Sequence, residues 1–99
     1  TAWCSLLVNW TCYKAGCQRS LSLAARSWLT IGISIQEPEL GDIVVLWRDS
    51  PSSWQGHVGF YVNLIKPQVY LLGGNQGDML NIEGFDSRRV LDYRRVQKI

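Results

Sequence analysis

The stretch Asp42-Ile43-Val44-Val45-Leu46-Trp47 is almost wholly apolar and rich in β-branched residues. Such a run cannot alternate between core and water, so it predicts a strand buried on both faces, the first strand of the fold and the centre of its core. Downstream, the turn formers of Arg48-Asp49-Ser50-Pro51-Ser52-Ser53-Trp54-Gln55-Gly56 lead into His57-Val58-Gly59-Phe60-Tyr61-Val62, a second strand with His57 at its first residue. A Lys66-Pro67 turn separates this strand from Val69-Tyr70-Leu71-Leu72. The glycine-rich break Gly73-Gly74-Asn75-Gln76-Gly77-Asp78 precedes Met79-Leu80-Asn81-Ile82, and Val90–Val96 forms the last strand. Strands joined by short turns in this way predict an antiparallel meander.

Upstream of Glu37-Pro38-Glu39-Leu40-Gly41, a turn, the pattern is helical. Cys4, Leu7, Val8, Thr11, Cys12 and Ala15 recur at steps of three and four, which predicts a helix over residues 3–15 with Thr1 as N-cap and Gly16 as terminator. A second short helix is expected through Leu21, Leu23, Ala24, Ala25, Trp28 and Leu29, capped by Ser20 or Ser22 and ended by Gly32. Helices followed by a meander make an α+β domain, N-terminal helices packed on a small antiparallel sheet. The 99 residues suffice for a single domain over 1–99, with no internal repeat, linker or low-complexity segment. Because the chain opens directly on a helix start with Thr1, it is expected to be a fragment or a processed product.

With 46% hydrophobic residues and no apolar run near the ~18–20 residues that cross a bilayer, the composition is that of a globular domain without membrane insertion. The formal charge is +2. Arg88-Arg89 and Arg94-Arg95 are the clusters within it, and each reads first as a solvated basic edge. A weak attraction to an anionic polymer follows from the balance of charge.

Chemistry concentrates in a few residues. Cys4 falls in the first helical turn, where backbone amides favour a thiolate. His57 is the single histidine of the chain and so the one available imidazole base. A third group must hold the imidazole in one tautomer, and Asn75, just past the strand beside His57, is placed for it. The glycines around Asn75 allow close approach of backbone to a substrate, although a plain glycine-rich hairpin explains them equally well. Trp54, in a polar loop ahead of Gly56-His57, suits the lining of a groove. Trp28 and Trp47 read as core, Cys12 and Cys17 as small apolar fillers, and Asp42 as a turn residue at the start of its strand.

Taken together, Thr1-Ala2-Trp3-Cys4-Ser5, Pro38-Glu39-Leu40-Gly41-Asp42-Ile43-Val44-Val45, Gly56-His57-Val58-Gly59-Phe60-Tyr61 and Gly73-Gly74-Asn75-Gln76 resemble the signature blocks of the CHAP and NlpC-like cysteine peptidoglycan hydrolases. The chain is most similar to the CHAP-related phage and bacterial branch, also through Ala25-Arg26-Ser27-Trp28-Leu29. The resemblance implies a papain-like fold and a peptidase or amidase that cleaves an amide of the peptidoglycan stem peptide through a thioester, acting at the bacterial cell wall. Cys4 falls on the family's nucleophile, His57 on its base and Asn75 on its third polar residue. Trp3, Trp54, Gly56, Gly74 and Gln76 fall where substrate is bound. No metal or cofactor and no nucleic-acid partner is implied. Two departures stand out: the upstream segment of family members is not in this chain, and Trp3 cannot replace the glutamine that serves relatives as an oxyanion donor, which leaves the Cys4 N–H for that task.

Two other classes fit parts of the pattern. A non-catalytic module binding cell wall or a partner would use the same groove, and Cys4, Cys12, Cys17 and His57 have the atoms of a structural zinc site, though without a close C-x2-C pair.

Overall fold

The computed structural model describes residues 3–22, 24–53, 55–74 and 80–99, the side chain of Trp3 excepted. Helix α1 runs Trp3–Ala15. Its apolar spacing is realised in the burial of Cys4, Val8 and Cys12, one above the other, while Leu6, Trp10 and Tyr13 lie exposed on the outer side. Gly16 ends the helix at a φ of +71°. Its N–H donates to the Tyr13 carbonyl and the Cys17 N–H to the Cys12 carbonyl, at 3.1 and 2.9 Å, the paired bonds of a Schellman closure.

The second helix is shorter than its pattern predicts, a 3-10 helix over Ala25–Thr30. The reason lies in the polar residues read as caps. The Asn9 Nδ2 donates to the Ser22 carbonyl at 2.9 Å, its Oδ1 accepts from the Leu21 N–H at 3.0 Å, and the Ser5 Oγ donates to the Ser22 carbonyl at 2.7 Å. These ties hold Leu21 at a φ of +59°, which no α-helix accommodates. Helix α1 thereby fixes the segment that follows it, and the buried Trp28 completes the link by donating from Nε1 to the Ser5 Oγ at 3.1 Å.

Among the described residues the strands form one six-stranded antiparallel sheet. They are β1 (Ile33–Ile35), β2 (Ile43–Trp47), β3 (Gly56–Ile65), β4 (Gln68–Gly74), β5 (Leu80–Asp86) and β6 (Val90–Arg95), in the spatial order β1-β6-β2-β3-β4-β5. The expected meander is β2 to β5, while β6 returns to lie between β1 and β2. Strand β2 is therefore not the first. The sequence reading missed β1, although Ile31, Ile33 and Ile35 alternate as a strand should. Gly32 lets β1 approach β6: its φ is +72°, and a Cβ there would lie 2.3 Å from the Arg95 carbonyl oxygen.

The double-sided burial of β2 divides the core in two. Ile43 and Val45 face α1 with Cys4, Val8, Cys12, Ala25, Trp28 and Val58, whereas Val44 and Leu46 face the other way with Val69 and Leu71. Trp28 is core, as expected, but Trp47 is only half-buried.

The arginine pairs are also more than a basic edge. Arg94 donates to the carbonyls of Ile31 and Gly32 and pairs with Asp92 at 2.8 Å. Arg95 holds buried Asp42 through two bonds of 2.9 and 2.7 Å. Asp42 also accepts from the Glu39 N–H at 2.8 Å. Burial opposes the Asp42 charge, but these bonds outweigh it and hold the carboxyl below its ordinary range.

Candidate functional site

Cys4 is the second residue of α1 and is buried in the helix-side core with Val8, Trp28 and Val58. Its place in the first turn puts it near the positive end of the helix dipole.

His57 is the second residue of β3, after Gly56, and is also buried. Its register partner is Leu46. Side chains alternate along a strand, so His57 takes the face of Leu46 and its neighbour Val58 takes the face of α1. Cys4 thus packs with Val58 on one face of β3, while His57, at the adjacent strand position, belongs to the layer on the other face.

The imidazole is closely held. Its ring packs on Phe85 of β5 with centroids 4.9 Å apart and planes inclined at 37°. A guanidinium nitrogen of Arg48 lies 3.4 Å from Nδ1. Arginine can only donate, so Nδ1 is the acceptor and the proton of the neutral ring belongs on Nε2. The Nε2 end faces β4, 3.8 Å from where a Cβ on Gly73 would sit. Burial, then the charges of Arg48 and Arg89, push the imidazole pKa down to about 4. The ring is neutral at physiological pH, a base with one nitrogen free of its proton.

Arg48 and Arg89 are the residues that sequence reasoning missed. Arg48 follows β2 and lies two positions after Leu46, the partner of His57, so the two-residue period already points its side chain to the histidine's face. Arg89 is the last residue of the 3-10 turn Ser87–Arg89. Its Nε donates to the Trp47 carbonyl at 3.0 Å, and its guanidinium lies 5.8 Å from the Trp47 ring and 5.6 Å from the Phe85 ring. Arg48, His57, Phe85, Arg89 and Trp47 form one connected basic and aromatic surface.

Arg26 has a different task. It donates to the carbonyls of Gln55, Pro51 and Ser50 at 2.9, 2.9 and 3.0 Å, and so fastens the turn-rich loop before β3 to the 3-10 helix. Gly56 sits in this junction, where a Cβ would meet the Leu46 carbonyl oxygen at 2.9 Å and the Arg26 side chain at 3.2 Å. Packing alone requires glycine there.

Gly74 is buried at the end of β4. Asn75 and Gln76, which follow it in sequence, lie outside the described residues, as do Trp54 and the side chain of Trp3. Cys12 is buried and Cys17 half-buried; both are free thiols. Burial, with Cys17 nearby, pushes the Cys12 thiol up to about 11. Among the described residues no three His, Cys, Asp or Glu side chains converge to hold a metal. Cys4, Cys12, Cys17 and His57 are all described, so the zinc alternative is not assembled.

No family model, characterised protein or solved structure matches the chain. The α+β architecture and the surroundings of His57 are therefore what a function must be argued from, and among the described residues no helix is long and apolar enough to cross a membrane.

Proposed function

We propose that the chain is a cysteine-dependent hydrolase on a papain-like fold, cutting an amide bond in the stem peptide of bacterial peptidoglycan. The observation that carries this reading is His57, the sole imidazole, buried against Phe85 yet kept neutral and in one tautomer. A histidine that serves only as packing has no need of a fixed proton-accepting nitrogen, whereas a general base does. A cysteine in the first turn of a helix packed on the same strand supplies the nucleophile. The resemblance of the four sequence blocks to the CHAP and NlpC-like enzymes supplies the substrate class.

The proposed reaction requires the Cys4 sulfur and the imidazole, which belong to layers on opposite faces of β3, to come within hydrogen-bond reach in the substrate complex. His57 takes the thiol proton at Nδ1 as sulfur attacks the stem-peptide carbonyl. The imidazolium then gives that proton to the departing amine, leaving a thioester on Cys4. A water, deprotonated by His57, attacks the thioester, and the released thiolate recovers the proton. The oxyanion is assigned to the Cys4 N–H. Asn75 is assigned to hold the Nε2 proton, because the Nε2 end of the ring faces the strand that leads to it.

The test pairs a substrate assay with a thiol assay. The purified chain should release new amino groups from isolated peptidoglycan, Cys4→Ala and His57→Ala should abolish the release, and alkylation of Cys4 should slow in His57→Ala. A chain that binds peptidoglycan but releases nothing, with Cys4 alkylation indifferent to His57, would establish a binding module instead.

A further inference from the structure

We infer that Arg48, aided by Arg89, receives a free carboxylate of the substrate next to the bond to be cut, and that doing so draws the guanidinium away from Nδ1 of His57. The inference rests on the hydrolase reading and names the recognition element of the same site.

Arg48 and Arg89 share with Arg19 and Arg26 the lack of a carboxylate partner among the described residues, but they bear on the imidazole. Arg26 is engaged by three carbonyls, Arg88 by Asp86, Arg94 by Asp92 and two carbonyls, and Arg95 by Asp42 and Glu39. Among the described residues, no carboxylate pairs with Arg48 or Arg89. Both are half-buried, and they act together on one buried imidazole. Two cations whose charges both reach one buried ring, with no carboxylate paired to either among the described residues, are an unfavourable arrangement, and an arriving carboxylate would offset it.

Their geometry suits an arriving anion. Arg89 is fixed by the Trp47 carbonyl through Nε and by contact with the Trp47 and Phe85 rings, which leaves its Nη nitrogens as the fork for a carboxylate. The Arg48 contact to Nδ1, 3.4 Å, is long for a hydrogen bond, and a carboxylate competes well for the same donor. An anion on Arg48 frees the lone pair of Nδ1 and removes positive charge from beside the ring. The base is thus made stronger by the substrate that needs it. Stem peptides carry free carboxylates, both at the chain terminus and on their acidic residue, which gives the class of group recognised.

Because the chain has one histidine, its ring resonances report the site without ambiguity. We would titrate the protein with N-acetyl-D-alanine, N-acetyl-D-alaninamide and inorganic phosphate, following the His57 ring by NMR in the wild type, Arg48→Gln, Arg89→Gln and the exposed control Arg88→Gln. The acid should shift the ring saturably and move its protonation midpoint upward by about one pH unit or more, while the amide does neither. Arg48→Gln and Arg89→Gln should each weaken the acid at least about tenfold, and Arg88→Gln should not. Equal response to acid and amide, or none to either, overturns the proposal, as does a response to phosphate with none to the acid. A Cys4→Ala protein should keep the response to the acid. Loss of peptide cleavage with the carboxylate response intact would therefore refute the hydrolase and not the site, and cleavage without the response would refute the site alone.

Discussion

Acidification should destabilise this protein through His57, and the size of the effect follows from its surroundings. Burial, then Arg48 and Arg89, place the folded imidazole at about 4 against an ordinary 6.5. Above pH 6.5 neither the folded nor the unfolded chain protonates the ring, and the full stability is present. As pH falls below 6.5 the unfolded chain takes up a proton that the folded chain refuses until about 4, so the equilibrium moves toward unfolding across that window. At 1.36 kcal/mol for each pH unit, the loss amounts to roughly 3 kcal/mol, a large part of the stability of a small domain. Urea denaturation from pH 7 to pH 4 should show this additional loss in the wild type relative to His57→Gln, the contributions of Asp42 and Asp86 cancelling in the comparison. The His57 ring resonances of the wild type should titrate with a midpoint near 4. Parallel pH curves for the two proteins, or a midpoint near the ordinary value, would refute the account of the site.

Other consequences can be checked independently. Gly32→Ala should cost about 1–3 kcal/mol from the positive φ alone, and more as the new methyl displaces the Arg95 carbonyl, read as a lowered urea midpoint. Asp42→Asn, by weakening the charged bonds to Arg95, should cost about 1–3 kcal/mol near neutral pH. The difference from wild type should vanish on acidification through the carboxylate range, since a depressed carboxyl stabilises only while ionised. Cys12 should resist alkylation in the native protein at pH 8 while Cys17 reacts, and mass analysis after unfolding should find both modified. Arg26→Lys cannot reproduce three carbonyl bonds, so limited proteolysis should cut within residues 48–55 faster than in the wild type.

The extent to which sequence foretold structure varied with how local the deciding interactions are. Helix α1 and strand β2 were legible because hydrophobic period and terminator lie within each segment: Cys4, Val8, Cys12 and Gly16 in the one, Ile43 to Leu46 in the other. The stretch Ser20–Ser22 was misread because its conformation is set by Asn9, eleven or more residues away, and serine caps and serine ties look alike in sequence. Strand β1 carried its alternating isoleucines but is three residues long and pairs with a segment near the other end of the chain. At the candidate site, Cys4 in a first turn and His57 on a strand were both read correctly. The placement of those two on opposite faces, and the gathering of Arg48, Phe85 and Arg89 around the ring, depend on register between β2 and β3 and on strands that sequence could not align. The residues assigned to Asn75, Gln76 and Trp54 fall outside what the structure describes.

The position of β6 in the sheet has a bearing on how the protein assembles and comes apart. Strands β2, β3 and β4 each pair with their successor in the chain and can zip up through short loops, whereas β6 must travel back past them to reach β2, with Arg94 opposite Ile43. Closing so long a loop is slow relative to hairpin formation, so β6 should be late to dock. Among the described residues β1 pairs with β6 alone, and so must follow it. Run in reverse, the same dependence makes Ile33–Ile35 the first segment to exchange its amide protons, with the meander from β2 to β5 as the last part to open.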